Sequence, residues 1–217
     1  MSNAFLYDGS LDEWKKSMIL KCCGKVSSVM DVGCNTGDLV AYFKSIGVSA
    51  LGVDVSEEFI NGALRKYPGL RFEVASSLSK YSDLSVDAVI AWNVLEHVSD
   101  EMDYLKNMWR MAKSKVVLSI PKEDAISLPD SRVTYRPYVD ITHLRYYTKE
   151  KLHKLAESIG CDDFEIIETS RVRPMLAYAK IGINKKFCQF MDNVLWLMSR
   201  DKSVFYSNLV VVFNKNK

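Results

Sequence analysis

The stretch Val29-Met30-Asp31-Val32-Gly33-Cys34-Asn35-Thr36-Gly37-Asp38-Leu39-Val40 constrains the fold more than any other part of the chain. An apolar run ends through an acid and a glycine, a second glycine follows four residues on, and an apolar pattern resumes. Ser28–Val32 reads as a buried strand and Asp38–Ile46 as a helix. Gly33 lets the backbone approach a ligand with no Cβ in the way and permits positive φ. Gly37 allows close packing where the helix begins. The helix start presents free N–H groups and a partial positive charge, so the turn is built to cradle a polar ligand. A dinucleotide fingerprint would need further glycines where Asn35 and Asp38 stand. An acid at the helix start repels a pyrophosphate, which disfavours NAD, FAD and ATP.

The remaining pattern alternates strands with helices. Strands are expected over residues 50–54, 70–74, 86–92, 115–120, 164–169 and 208–213, with helices over 57–66, 100–112 and 148–159. This predicts an α/β, three-layer, doubly wound and mainly parallel sheet of seven strands. Two segments interrupt the alternation. Residues 121–147 form a long connection rich in Pro, Tyr and Arg, leaving the fifth strand where ligands sit in such sheets. Residues 174–200 form a Met- and Phe-rich helical insertion before the last strand. At 217 residues the chain suits one domain spanning 1–217.

Composition narrows the partners. Net charge is +2 with no block of like charges, so no nucleic acid is expected. Five cysteines, an odd count with no C-x-x-C pair, point to reduced thiols in a cytoplasmic protein. No apolar run reaches the ~18–20 residues of a membrane helix, and no signal-peptide pattern opens the chain. No metal-ligand cluster is evident, so no metal is expected.

Asp54, in Leu51-Gly52-Val53-Asp54-Val55-Ser56, stands at the tip of the second strand, about 20 residues past Gly33. That is where a doubly wound fold sets a carboxylate against ribose hydroxyls. A ribose-bearing ligand without phosphates fits both features. Here the chain resembles the class I S-adenosylmethionine-dependent methyltransferases, the Rossmann-like seven-stranded group. Their first motif, acid-x-G-x-G-x-G, is matched by Asp31, Gly33, Asn35 and Gly37, with Asn35 replacing the middle glycine. Val86–Asp100, with its Leu95-Glu96-His97 segment, matches a second motif. Ser119-Ile120-Pro121 and Thr142–Cys161 match two more, so the resemblance covers roughly residues 25–170.

The resemblance implies S-adenosylmethionine as cofactor and S-adenosylhomocysteine as its product. It places Asp31, Gly33, Cys34, Asn35 and Gly37 along the methionine and ribose portion. Asp54 would take the ribose hydroxyls, with Val55 beside the adenine. The usual acid after the third strand is replaced by Ala75-Ser76-Ser77, which leaves Ser76 or backbone to meet the adenine amino group. Trp92, Asn93 and Leu95 would pass the cofactor. Cys34 also reads as a small apolar filler. Residues 1–24 are expected to form an N-terminal helical lid, with Tyr7 or Trp14 at the entrance.

The expected reaction is O-methylation of a small-molecule or glycan acceptor by in-line transfer, with His143 or His97 as base. The alternatives are an RNA or protein methyltransferase, and a cofactor-binding protein without turnover. His143 sits in an Asp140-x-x-His143-x-x-Tyr146-Tyr147-Thr148 pattern, where Asp140 and His143 could instead pin the loop. His153 reads as solvated. Phe187, Phe190, Met191, Val194, Leu195 and Met198 form an apolar helical face. It is expected to pack on the domain of a monomer or in a homodimer, or to serve as a pocket wall or peripheral membrane contact.

Overall fold

The structure, a computed structural model, describes residues 11–122, 142–171, 173 and 175–215. Tyr7, Asp140 and most of the 121–147 connection lie outside the described residues. Asp12 accepts the Lys15 N–H and starts α1, Glu13–Cys23. There follow β1 (Ser28–Val32), α2 (Asp38–Ser45), β2 (Ser49–Asp54), α3 (Glu57–Lys66), β3 (Arg71–Val74) and β4 (Val86–Trp92). A 3-10 turn, Leu95–His97, precedes α4 (Glu101–Met111), β5 (Ala112–Pro121), α5 (Lys149–Ser158) and β6 (Asp163–Arg171). Beyond these lie α6 (Leu176–Ala179), α7 (Lys185–Met198) and β7 (Tyr206–Asn214). Ser56 and Thr148 accept the N–H groups of Phe59 and Lys151, so α3 and α5 start at side-chain caps.

The seven strands run in the order β3-β2-β1-β4-β5-β7-β6. The pairs β1–β2, β1–β4, β2–β3 and β4–β5 are parallel, and β7 runs antiparallel to both β5 and β6. The expected architecture is present, with one reversed strand near an edge. β5 is longer than 115–120 because its first residue, Ala112, pairs with Val86 ahead of a register shift.

Central β4 is buried on both sides, which explains its continuous apolar run. On one face Met30, Val89, Ala91, Val116, Leu118 and Phe213 pack with Leu105 and Met108 of α4 and Leu152 and Leu155 of α5. On the other, Val29, Ala88, Ile90, Val117 and Val210 pack with Ile19 of α1 and Leu39 and Phe43 of α2. Strand order reverses between β1 and β4, so the carboxyl ends of β1, β2 and β4 open a crevice there.

The apolar face expected of α7 is not its buried side. Phe187, Phe190 and Met198 are more than half exposed, while Cys188 and Asp192 point inward. The Met175 N–H donates to Asp192 Oδ1 at 2.9 Å, and Arg171 donates to the Asp192 carbonyl at 3.0 Å. Polar contacts therefore help to hold α7 in place. Among the described residues no helix is long and apolar enough to cross a membrane.

Candidate active site

The turn after β1 is drawn onto β2 by its own backbone. The N–H groups of Gly33 and Cys34 donate to the Val53 carbonyl at 2.7 and 3.0 Å. Gly33 has φ +73°, and a Cβ there would overlap Val94. Asn35 sits in the left-handed region at φ 47°, which Asn tolerates better than most residues. Gly37, at φ +82°, serves packing: a Cβ would come within 2.5 Å of the Phe72 ring. The turn and Asp54 are tied together. Asp54 Oδ2 accepts the Asn35 N–H at 3.0 Å, and Oδ1 accepts the Ser56 N–H at 2.9 Å. Two backbone donors therefore fix the carboxylate at the end of β2.

These elements border a cavity of ≈ 820 Å³, within the usual range for a small-molecule site. Gly33, Asn35, Asp54, Val55, Ser76, Trp92, Asn93 and His97 all line it. Residues singled out separately from the sequence thus converge on one cavity. Asp31, Cys34, Gly37, Leu95 and His143 are not among its lining residues. Leu95 is buried in the α4-side core. Cys34 packs with Val40 and Phe72, and its sulfur stands where a side chain on Gly52 would go. Its thiol is a core filler, and burial pushes its pKa up.

The sequence reading missed several lining residues. Asp100, Asp103 and Tyr104 reach the cavity from the start of α4, and Phe59 does so from α3. The signal was available in the spacing: 100, 103 and 104 are i, i+3 and i+4 on one helical face. Burial, with the Asp54 charge adding, pushes the Tyr104 hydroxyl up to about 12.

Behind the turn, Asp31 is buried on β1. Burial raises its pKa to about 7, the Lys15 ammonium opposes this and the Asp54 charge adds to it. Burial likewise lowers Lys15. The Lys15 ammonium lies 5.3 Å from the centre of the Trp92 ring, and Trp14 meets that ring edge-on at 6.3 Å. α1 therefore stands against a cavity-lining tryptophan.

The far end of the cavity is built by β4 and the segment returning toward α5. Asn93 has φ 55°; its N–H donates to the Ser119 carbonyl at 2.8 Å, and its Oδ1 accepts the Ser119 hydroxyl at 2.9 Å. The 3-10 turn follows. The Leu144 N–H donates to the Glu96 carbonyl at 2.8 Å. Arg145 donates to the carbonyls of Leu95, Val98 and Ser99. This stitching sets the His143 ring 4.8 Å from the His97 ring, edge to face, and 5.8 Å from Tyr146. Thr142, also a lining residue, presents its carbonyl and hydroxyl oxygens 3.2 and 3.0 Å from His97 Nδ1. The two catalytic candidates are thus neighbours. His153 is exposed, with its ring against Phe164. The sequence showed no metal-ligand cluster, but among the described residues the fold assembles one candidate. Glu96, His97 and His143 bring potential ligand atoms within 4.8 Å of one another.

Comparison with known proteins places this geometry in a family. A family model described as a methyltransferase domain matches residues 9–166. A Mycolicibacterium smegmatis protein described as a "probable S-adenosylmethionine-dependent methyltransferase" is 26% identical over 157 residues, 69% of this chain. The chain spans 55% of that relative's length. An Archaeoglobus fulgidus SAM-dependent methyltransferase structure superposes with TM-score 0.69 at 19% identity, covering 93% of this chain and 92% of that one. A Haemonchus contortus phosphoethanolamine N-methyltransferase 2 bound to S-adenosylmethionine gives TM-score 0.64 at 16% identity, covering 93% of this chain and 52% of that one. Both structural likenesses establish the fold. With the family match spanning most of its length, the chain belongs to the class I S-adenosylmethionine-dependent methyltransferases.

Proposed function

We propose that the chain transfers the methyl group of S-adenosylmethionine to a hydroxyl of a small-molecule or glycan acceptor. The observation that carries this is the Asp54 carboxylate, held by two backbone donors on a cavity that His97 also lines. The cavity residues fit the cofactor. Gly33, having no Cβ, lets Val94 pack against the turn that lines the cavity, Asp54 would take the ribose hydroxyls, and Ser76 and Val55 would flank the adenine. When bound, S-adenosylmethionine supplies a methyl group on a positively charged sulfur, and the C–S bond breaks as the C–O bond forms, leaving the electron pair on sulfur. The chain contributes position and exclusion of water, effects worth up to ~7–11 kcal/mol in well-oriented systems. The hydroxyl proton passes to an imidazole of the His97–His143 pair, a contribution of ~10²–10⁴ in rate.

Calorimetric titration with S-adenosylmethionine, S-adenosylhomocysteine and NAD tests the reading. Both sulfur ligands are expected to bind and NAD is not. Asp54→Ala is expected to weaken binding by ~1.5–3 kcal/mol, the range for hydrogen bonds to a charged group. Unchanged affinity in the variant would remove Asp54 from the site. Failure of both sulfur ligands to bind would sink the proposal.

A further inference from the structure

We infer that Glu96, His97 and His143 form a binding site for one divalent first-row transition-metal cation at the acceptor end of the cavity. The inference rests on reading that cavity as a methyl-transfer site, and it refines what the two histidines do there. Three observations carry it. First, one carboxylate and two imidazoles, from two separate segments, bring ligand atoms within 4.8 Å of one another. Ligands about 2.1 Å from a tetrahedral cation lie about 3.4 Å apart, so modest side-chain rotation closes the set. Second, His97 has the outer partner a metal-bound histidine uses. Thr142 sets two oxygens on His97 Nδ1. An Nδ1–H directed at them leaves the Nε2 lone pair for a cation, and such contacts orient ligating histidines. Third, the backbone under the cluster is fixed. Leu144 donates to the Glu96 carbonyl, and Arg145 gathers three carbonyls around the 3-10 turn.

Two imidazoles with one carboxylate suit Zn²⁺, Co²⁺, Mn²⁺ or Fe²⁺ better than Mg²⁺ or Ca²⁺, which favour all-oxygen sets. Three protein ligands leave at least one position open. His97 and Thr142 line the cavity, so that position faces the acceptor. An acceptor hydroxyl bound there is acidified as metal-bound water is, and its proton leaves to solvent. With the cation in place the imidazole lone pairs are engaged, so the histidines serve as ligands rather than as bases.

The test uses the full chain, stripped of metal by chelator and dialysis. Co²⁺ is titrated and followed by its visible absorption bands and by calorimetry, with Zn²⁺ as competitor. S-adenosylhomocysteine affinity is measured in parallel on every sample. Wild type is expected to take up one Co²⁺, displaceable by Zn²⁺. Glu96→Gln and His143→Ala are expected to weaken uptake by at least about 10–100-fold while keeping S-adenosylhomocysteine affinity, which also establishes that each variant is folded. Absence of Co²⁺ uptake by wild type, or equal uptake by both folded variants, overturns the cation site. If S-adenosylhomocysteine binds in either case, the methyltransferase reading stands without the cation. Uptake of Co²⁺ that depends on these residues, with no S-adenosylhomocysteine binding, supports the site and removes the cofactor reading instead.

Discussion

At the scale of single residues, two acids on adjacent parallel strands have opposite environments. Asp54 ends β2 with two backbone N–H donors on its carboxylate. Asp31 is paired to Gly52 across the β1–β2 ladder and is deeply buried, with the half-buried Lys15 as its opposing charge. Its folded pKa, raised to about 7 chiefly by burial, exceeds the ordinary carboxyl value of 3.8. The fold thus favours the protonated form, and the stabilising difference is complete below about pH 4. Stability from this group is lost as pH rises through about 7, because the unfolded chain ionises first. Asp31→Asn removes that dependence. The variant is expected to match wild type near pH 4 and to exceed it by roughly 2–4 kcal/mol above pH 7, as the shift implies once loss of the Lys15 partner is allowed for. Urea unfolding at pH 4, 6 and 8 without cofactor measures this. A difference that does not vary with pH would mean that Asp31 stays ionised beside Lys15.

At the scale of elements, the legible parts were those whose chemistry is local. The β1–α2 turn announces itself through Gly33 and Gly37, and the end of β2 through Asp54. The caps at Ser56 and Thr148 act within three residues of themselves. None of these needs knowledge of distant chain. The acceptor end was legible only as separate candidates. His97 and His143 become neighbours because Arg145 reaches the carbonyls of Leu95, Val98 and Ser99, 46 to 50 residues back along the chain. Periodicity also cannot tell which side of a helix faces inward. In α7 the buried side belongs to Cys188 and Asp192, whose polar contacts the apolar pattern conceals. Arg145→Ala removes charge-assisted hydrogen bonds worth ~1.5–3 kcal/mol each. Hydrogen exchange at the Leu144 amide, which is bonded to the Glu96 carbonyl, is expected to quicken by about 10–100-fold. S-adenosylhomocysteine affinity is expected to stay within about two-fold, since Arg145 does not line the cavity. Unchanged exchange would mean that the segment is held by other contacts.

At the scale of the whole molecule, the cavity draws on β1, β2 and β4 and on the starts of α3 and α4, so a ligand there bridges elements far apart in sequence. Such a ligand binds the folded chain and not the unfolded one, and stabilises it by RT ln(1 + [L]/Kd). At about 100 times Kd this is ~2.7 kcal/mol. For a domain of this size each kcal/mol moves the melting temperature by ~2–4 °C. S-adenosylhomocysteine at that concentration is therefore expected to raise the melting temperature by about 5–10 °C. In Asp54→Ala, with affinity about ten-fold weaker or more, the same concentration gives at most ~1.4 kcal/mol and a rise of no more than about 3–6 °C. NAD is expected to produce no rise in either protein, because Asp38 stands where a pyrophosphate would need the helix start, and Lys66 and Tyr67 already engage its carboxylate. Differential scanning fluorimetry across a ligand series reads all three. An equal rise in wild type and variant would place the ligand away from β2, and a rise with NAD would return the crevice to the dinucleotide class that its glycine spacing argues against.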